Sequence, residues 1–271
     1  MTRFVLVLLL ALGQAAVRPG PLQAQETGLG ERLAMLIASY PEVLSHVDGN
    51  RLILKDGGPA IVIDDGRAKS HAEALADADV EDMLHQLYPH GPCETRSAVN
   101  FDPGRIRSQD LMLRLYGETR KKVAGRLTTI DWFGTRLKVT TAFGVDKALI
   151  AVREELESLP EKLRRPALKS AGTFNWRTIA GTDRLSVHSF GAAIDLDTAY
   201  ADYWRWAGGK PGNVLVHENR MPLEVVAIFE RHGFIWGGRW YHYDTMHFEY
   251  RPELIAISRA AGADACVSGK Q

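Results

Sequence analysis

The chain has 271 residues, 45% of them hydrophobic and 24% charged, with 33 basic side chains against 33 acidic ones. That composition is globular, fits one or two domains, and excludes a collagen-like, disulfide-dense or wholly disordered chain. Without a basic excess a dedicated nucleic-acid binder is not expected.

Taken in chain order, the first segment is a leader. Arg3 precedes an apolar run from Phe4 to Leu12, and Pro19, Gly20 and Pro21 follow. The run is too short to cross a bilayer, so residues 1–24 read as a secretory signal peptide. Cleavage is expected after Ala24, with Ala15 or Ala16 as alternatives and an uncleaved anchor as the rival reading. Beyond the leader no apolar stretch is long enough for a transmembrane helix. The expected location is therefore secreted or periplasmic, with no membrane span after cleavage. In an oxidising compartment Cys93 and Cys266 either pair or remain free thiols, one of them on a frayed C-terminal tail. A bridge between them would be worth about 5 kcal/mol on the chain-entropy model.

Leu29, Leu33, Leu36 and Ile37 recur at helical spacing and predict a helix over 28–40. Residues 51–54 and 60–63 flank Asp56-Gly57-Gly58 and predict a strand–turn–strand. Helices are expected over 72–87 and 109–127, separated by a connector rich in Pro and Gly. Strands at 128–133 and 137–143 and a helix over 145–159 follow. All six tryptophans then fall between Trp132 and Trp240. Strands are expected at 173–179, 192–196 and 241–250. Pro222 and Gly233 bracket a helix over 222–232. The C-terminal half thus reads as an α+β unit, a small antiparallel sheet with flanking helices. A mixed helical and hairpin region precedes it. The divisions expected are a signal peptide (1–24), an N-terminal accessory region (25–130), a C-terminal domain (131–258) and a C-terminal tail (259–271).

Two segments carry chemistry. In Ser186-Val187-His188-Ser189-Phe190-Gly191-Ala192-Ala193-Ile194-Asp195-Leu196, a carboxylate sits inside an apolar strand, where it is costly unless paired or bound to metal. Gly191 permits a tight turn that can bring His188 back beside Asp195. Trp240-Tyr241-His242-Tyr243-Asp244-Thr245-Met246-His247-Phe248-Glu249 offers a third ligand, His247, and a nearby acid, Asp244. Three protein ligands with one open position is the usual catalytic zinc arrangement, and Asp244 can then serve as general base. The plain alternative for each His is a hydrogen-bonded structural role. His242 reads as a neighbour of the site, and the remaining His residues as surface or structural. Ser186 and Ser189 adjoin His188, but neither sits in a Gly-x-Ser-x-Gly elbow. Tyr200, Tyr203, Trp204, Trp206, Trp236 and Trp240 flank the motifs, at least half of them as core.

The pattern Ser186-x-His188-x-x-Gly191-x-Ala193-x-Asp195, followed by Asp244-x-x-His247-Phe248-Glu249, resembles the D-alanyl-D-alanine carboxypeptidase and dipeptidase family of zinc peptidases. The family includes L-alanyl-D-glutamate endopeptidases and shares its fold with lysostaphin-type endopeptidases and the hedgehog signalling domain. The resemblance covers roughly residues 135–255. It implies one zinc ion held by His188, Asp195 and His247, with Asp244 as the base. Phe174-Asn175-Trp176-Arg177 is also similar to family sequence, although some relatives carry Cys where Trp176 stands. By that similarity Arg177 binds substrate and stabilises the oxyanion, with Arg184 as its rival.

The resemblance implies an exported zinc peptidase acting on peptidoglycan stem peptides or muropeptides, of D-Ala-D-Ala carboxypeptidase or L-Ala-D-Glu endopeptidase type. A non-catalytic zinc-containing wall-binding module of the same fold is the alternative. The N-terminal region carries no chemical motif and is expected to be structural cover.

Overall fold

The computed structural model describes residues 27–179 and 182–268; the expected signal peptide and residues 269–271 lie outside them. Helix α1 (Leu29–Ser39) buries Leu33 and Leu36. Strands β1 (Leu44–Asp48), β2 (Arg51–Leu54) and β3 (Ile61–Val62) form an antiparallel sheet in that order.

The helix expected over 72–87 is two helices, α2 (His71–Ala76) and α3 (Val80–His85). Each starts with its own capping box, Ser70 with Glu73 and Asp79 with Asp82. A side chain that caps a new N-terminus competes with continuing the old helix. The helix expected over 109–127 divides likewise, into α4 (Gln109–Tyr116) and α5 (Arg120–Ala124). Gly117 ends the first at φ 129°, and Thr119 caps the second.

Strands β4 (Leu127–Trp132) and β5 (Thr135–Thr140) make a hairpin. Helix α6 (Val145–Glu157) turns Val145, Leu149, Val152 and Leu156 inward, the spacing of one helical face. The short helix α7 (Glu161–Arg164) follows.

Strands β6 (Ser170–Gly172), β7 (Ala193–Leu196), β8 (Phe234–Trp236) and β9 (His247–Tyr250) form an antiparallel sheet in the order β6-β7-β9-β8. Helices α8 (Leu223–Arg231), α9 (Pro252–Ala260) and α10 (Ala265–Ser268) complete the described chain. The architecture is mixed α+β, small antiparallel sheets with helices against them.

The strand expected at 173–179 is not in this sheet. Past Gly172 the chain turns away, and its backbone bonds instead to the segment before β7: Asn175 N to His188 O, Ser186 N to Arg177 O, Ile179 N to Arg184 O. The strand expected at 241–250 shortens to 247–250. Residues before it wrap onto a neighbouring turn, with Asp244 N donating to Gly237 O at 3.0 Å.

One hydrophobic core includes residues from both halves, among them Leu36, Tyr40, Tyr88, Trp132, Phe229 and Phe248. Buried polar ties cross it. Tyr40 donates to Glu253 Oε2 at 2.6 Å, and Tyr88 donates to Glu230 Oε1 at 2.7 Å while accepting from Trp236 N. Cys93 and Cys266, left open by the sequence, are joined in a disulfide. Among the described residues no helix is long and apolar enough to cross a membrane.

Candidate metal centre

The His188–Asp195–His247 constellation is assembled by two elements. In the β7–β9 pair Asp195 lies directly opposite His247. Opposed residues of an antiparallel pair project on the same face. His188 comes from a tight turn over Val187–Phe190, which Ser186 caps by accepting from His188 N. The turn ends at Gly191, at φ 66°. A Cβ there would lie 2.8 Å from Leu127 Cδ2 and 3.1 Å from Thr140 N, so the position needs glycine on two counts.

The donor atoms converge. His188 Nε2 is 3.2 Å from Asp195 Oδ2 and 3.2 Å from His247 Nδ1, and His247 Nδ1 is 2.9 Å from Asp195 Oδ1. Outer partners fix both rings. His188 Nδ1 lies 2.7 Å from Thr173 O, a carbonyl that can only accept, so Nδ1 donates there and Nε2 is the nitrogen that faces inward. His247 Nε2 lies 3.2 Å from Glu249 Oε2, leaving Nδ1 for the centre. Such orientation by a carbonyl or carboxylate is the usual support of metal-binding imidazoles.

The charges fit the same reading. Burial alone would raise the Asp195 carboxyl, but hydrogen bonds from His188 and His247 outweigh it and hold it far below the usual range. Burial alone would lower the His247 imidazole; Asp195 and Glu249 instead raise it to about 10. The point between these side chains strongly favours positive charge. Two imidazoles and a carboxylate are a donor set suited to zinc.

Asp244 completes the arrangement. Its Oδ1 is shut off from solvent and has no hydrogen-bond partner. Burial, aided by the negative charge of Asp195, pushes the carboxyl up to about 6. Gly237 lets the loop lie this close: a Cβ there would be 2.5 Å from Asp244 O.

A cavity of about 210 Å³ opens on these groups, and both candidate arginines, Arg177 and Arg184, line it. Arg177 is exposed, and Arg184 is 8% exposed. Tyr203 and Trp240 also line it, whereas Trp204 and Trp236 are core and Trp206 is 62% exposed. Ser189 Oγ is committed to the Arg177 backbone at 2.8 Å and 2.9 Å, so it is not poised against the His188 ring.

Sequence reasoning missed several contributors. Glu249 behind His247 stood in the quoted motif without a role. Arg105, Arg107 and Arg205 also line the cavity. A second group brings His71 and His242 to the buried Asp102, with His242 Nδ1 at 2.7 Å and His71 Nε2 at 3.1 Å from Oδ2. Asp102 Oδ1 accepts from His242 N at 2.9 Å, and Gly212 N donates to His242 Nε2 at 3.1 Å. Bonded in this way, it clamps the loop that carries Asp244 to the segment before α4.

Neither a curated protein nor a solved structure matches the chain. Residues 180–250, which hold His188, Asp195, Asp244 and His247, match the model of a family described as D-alanyl-D-alanine carboxypeptidase, and the match supports a peptidase of that family.

Proposed function

We propose that this chain is an exported zinc peptidase that hydrolyses peptide bonds in peptidoglycan stem peptides, in D-Ala-D-Ala carboxypeptidase or L-Ala-D-Glu endopeptidase mode. One observation carries the reading: three inward-facing side chains, each pair of which brings donor atoms within 3.2 Å, in the cavity that Asp244 also lines.

In this reading His188, Asp195 and His247 hold the metal. Zinc supplies Lewis acidity toward a carbonyl oxygen and lowers the pKa of water toward about 7. Asp244, with a carboxyl near 6, is ionised at neutral pH yet basic enough to take a proton from the attacking water. It then passes that proton to the leaving amine. Arg177, on the cavity wall, stabilises charge developing on the carbonyl oxygen. Residues 27–130 serve as cover and, through Asp102, brace the loop of Asp244.

Purified protein should contain about one zinc per chain. It should also release defined products from a muropeptide, identified by mass spectrometry, which fixes the bond cut. His188→Ala should lose both metal and activity. Cleavage that persists in a strong chelator overturns the reading.

A further inference from the structure

The cavity is lined by more guanidinium groups than the proposed chemistry uses. Arg105 and Arg107 reach it from the segment before α4, outside the family match, and Arg184 from the loop before His188. Arg107 is 5% exposed and Arg184 is 8% exposed. Burying a charge is costly unless it is paired. Yet the hydrogen bonds of all three go to backbone carbonyls: Arg105 Nη1 to His242 O at 2.8 Å, Arg107 Nη2 to Leu185 O at 2.7 Å, Arg184 Nη1 to Arg105 O at 3.1 Å. Arg184 Nε is buried with no partner. The acid that acts electrostatically on Arg107 and Arg184 is Glu249, and its oxygens are already engaged, Oε2 by His247 and Oε1 by Arg251; Arg105 instead faces the charges of Asp102 and Asp244.

Burial, and then the charges of neighbouring arginines, pull the Arg107 and Arg184 guanidiniums down to about 10 and about 9 against the attraction of Glu249, so both remain cationic at neutral pH. Arg105 is held in place, its Cζ 5.4 Å from the centroid of the Trp240 ring. Fixed cations, two of them buried and one with an unpartnered Nε, form a built receptor for an anion, and the guanidinium fork matches a carboxylate.

We propose that Arg105, Arg107 and Arg184 form a subsite, beside the metal centre, that binds a carboxylate of the substrate peptide next to the bond that is cut. The proposal rests on the peptidase reading for the identity of the ligand as a peptide. That carboxylate has two sources: the C-terminal carboxylate of a D-Ala-D-Ala peptide, or the α-carboxylate of a γ-linked D-glutamate. Either way the segment before α4 sets specificity, and amidation at that carboxylate weakens binding.

The test is calorimetric titration of full-length, zinc-loaded protein in an Asp244→Asn background, so that binding is read without turnover. The probes are N-acetyl-D-alanyl-D-alanine and its C-terminal amide, and L-alanyl-γ-D-glutamyl-L-lysine and its glutamate α-amide. In one of the two pairs the acid should bind at least about tenfold more tightly than the amide, and the pair that discriminates names the source. Arg105→Gln and Arg107→Gln should bring acid and amide within about twofold, whereas Arg107→Lys should keep part of the preference. Arg105 is only half-buried, so its variant keeps the test open if Arg107→Gln unfolds. Equal affinity for acid and amide in both pairs overturns the subsite, as does a preference that survives both folded variants. The peptidase reading fails separately: wild-type protein that prefers the acid but cleaves none of the four peptides removes the hydrolysis and keeps the subsite.

Discussion

Glu249 stands two residues beyond His247 on β9, and its Oε2 lies 3.2 Å from His247 Nε2, on the side of the ring away from Asp195. The carboxylate therefore orients an imidazole whose other nitrogen belongs to the donor cluster. Replacing such an outer partner typically costs about 10–100-fold in metal affinity. Glu249→Gln should weaken zinc binding by that amount in a competitive chelator titration. Unchanged affinity would show that the ring is held by other contacts.

Asp244 is assigned to proton transfer and not to metal binding. Asp244→Asn should keep its zinc, while turnover falls by about 10²–10⁴-fold. Metal analysis and product release on the same preparation separate the two. Undiminished turnover would point to a different base. A chain with no turnover before or after the change would be a binding module.

Gly191 is the pivot between His188 and β7. Gly191→Ala places a side chain at φ 66° and against Leu127 and the β5 backbone. The backbone conformation alone costs about 1–2 kcal/mol. Thermal denaturation should show that loss, accompanied by weaker zinc binding as the His188 turn shifts.

Asp102 provides a pH signature. Burial would raise its carboxyl, but hydrogen bonds from His242 and His71 and the charge of Arg105 hold it well below the usual range. A carboxyl depressed on folding contributes its full stability above its unfolded value of about 3.9. It loses that contribution as the pH falls toward the folded value. The melting temperature of the wild type should therefore drop more steeply below about pH 4 than that of Asp102→Asn. Parallel melting curves for the two would remove the clamp from the account.

The disulfide joins Cys93, in the connector after α3, to Cys266 in α10, with a sequence separation of 173. Removing a native bridge typically costs about 2–5 kcal/mol. A Cys93→Ser, Cys266→Ser double variant should unfold at correspondingly lower denaturant. An unchanged midpoint would mean that the core and the buried polar ties already hold those segments.

The constellation was legible because its residue types are rare in their surroundings: a carboxylate between Ile194 and Leu196, a glycine after a histidine, an acid three residues before another histidine. Helix α6 was legible because one apolar stripe runs its whole length. The broken helices were not, since apolar periodicity continues through Asp77–Asp79 and Gly117–Thr119 while the caps act locally. Strand β1 was missed because Ser45, His46 and Asp48 give it no alternation. The arginine cluster lining the cavity was invisible for a different reason. Arg105 and Arg107 sit in a Pro- and Gly-rich connector and read as any surface pair. Their meaning lies in contacts with His242 and Leu185, far along the chain.

From His247 the alternation of β9 continues past the strand as a line of paired charges. Glu249 meets Arg251 Nη1 at 3.2 Å, Arg251 Nε meets Glu253, and Glu253 accepts from Tyr40 at the end of α1. Each member is sealed from water, so each depends on the next to satisfy its buried polar atoms. A segment cut to the matched residues 180–250 would leave Glu249 without Arg251 and the partners behind it. Portability is thus bounded by Tyr40: whoever transplants the β7–β9 unit into another scaffold must bring α1 along.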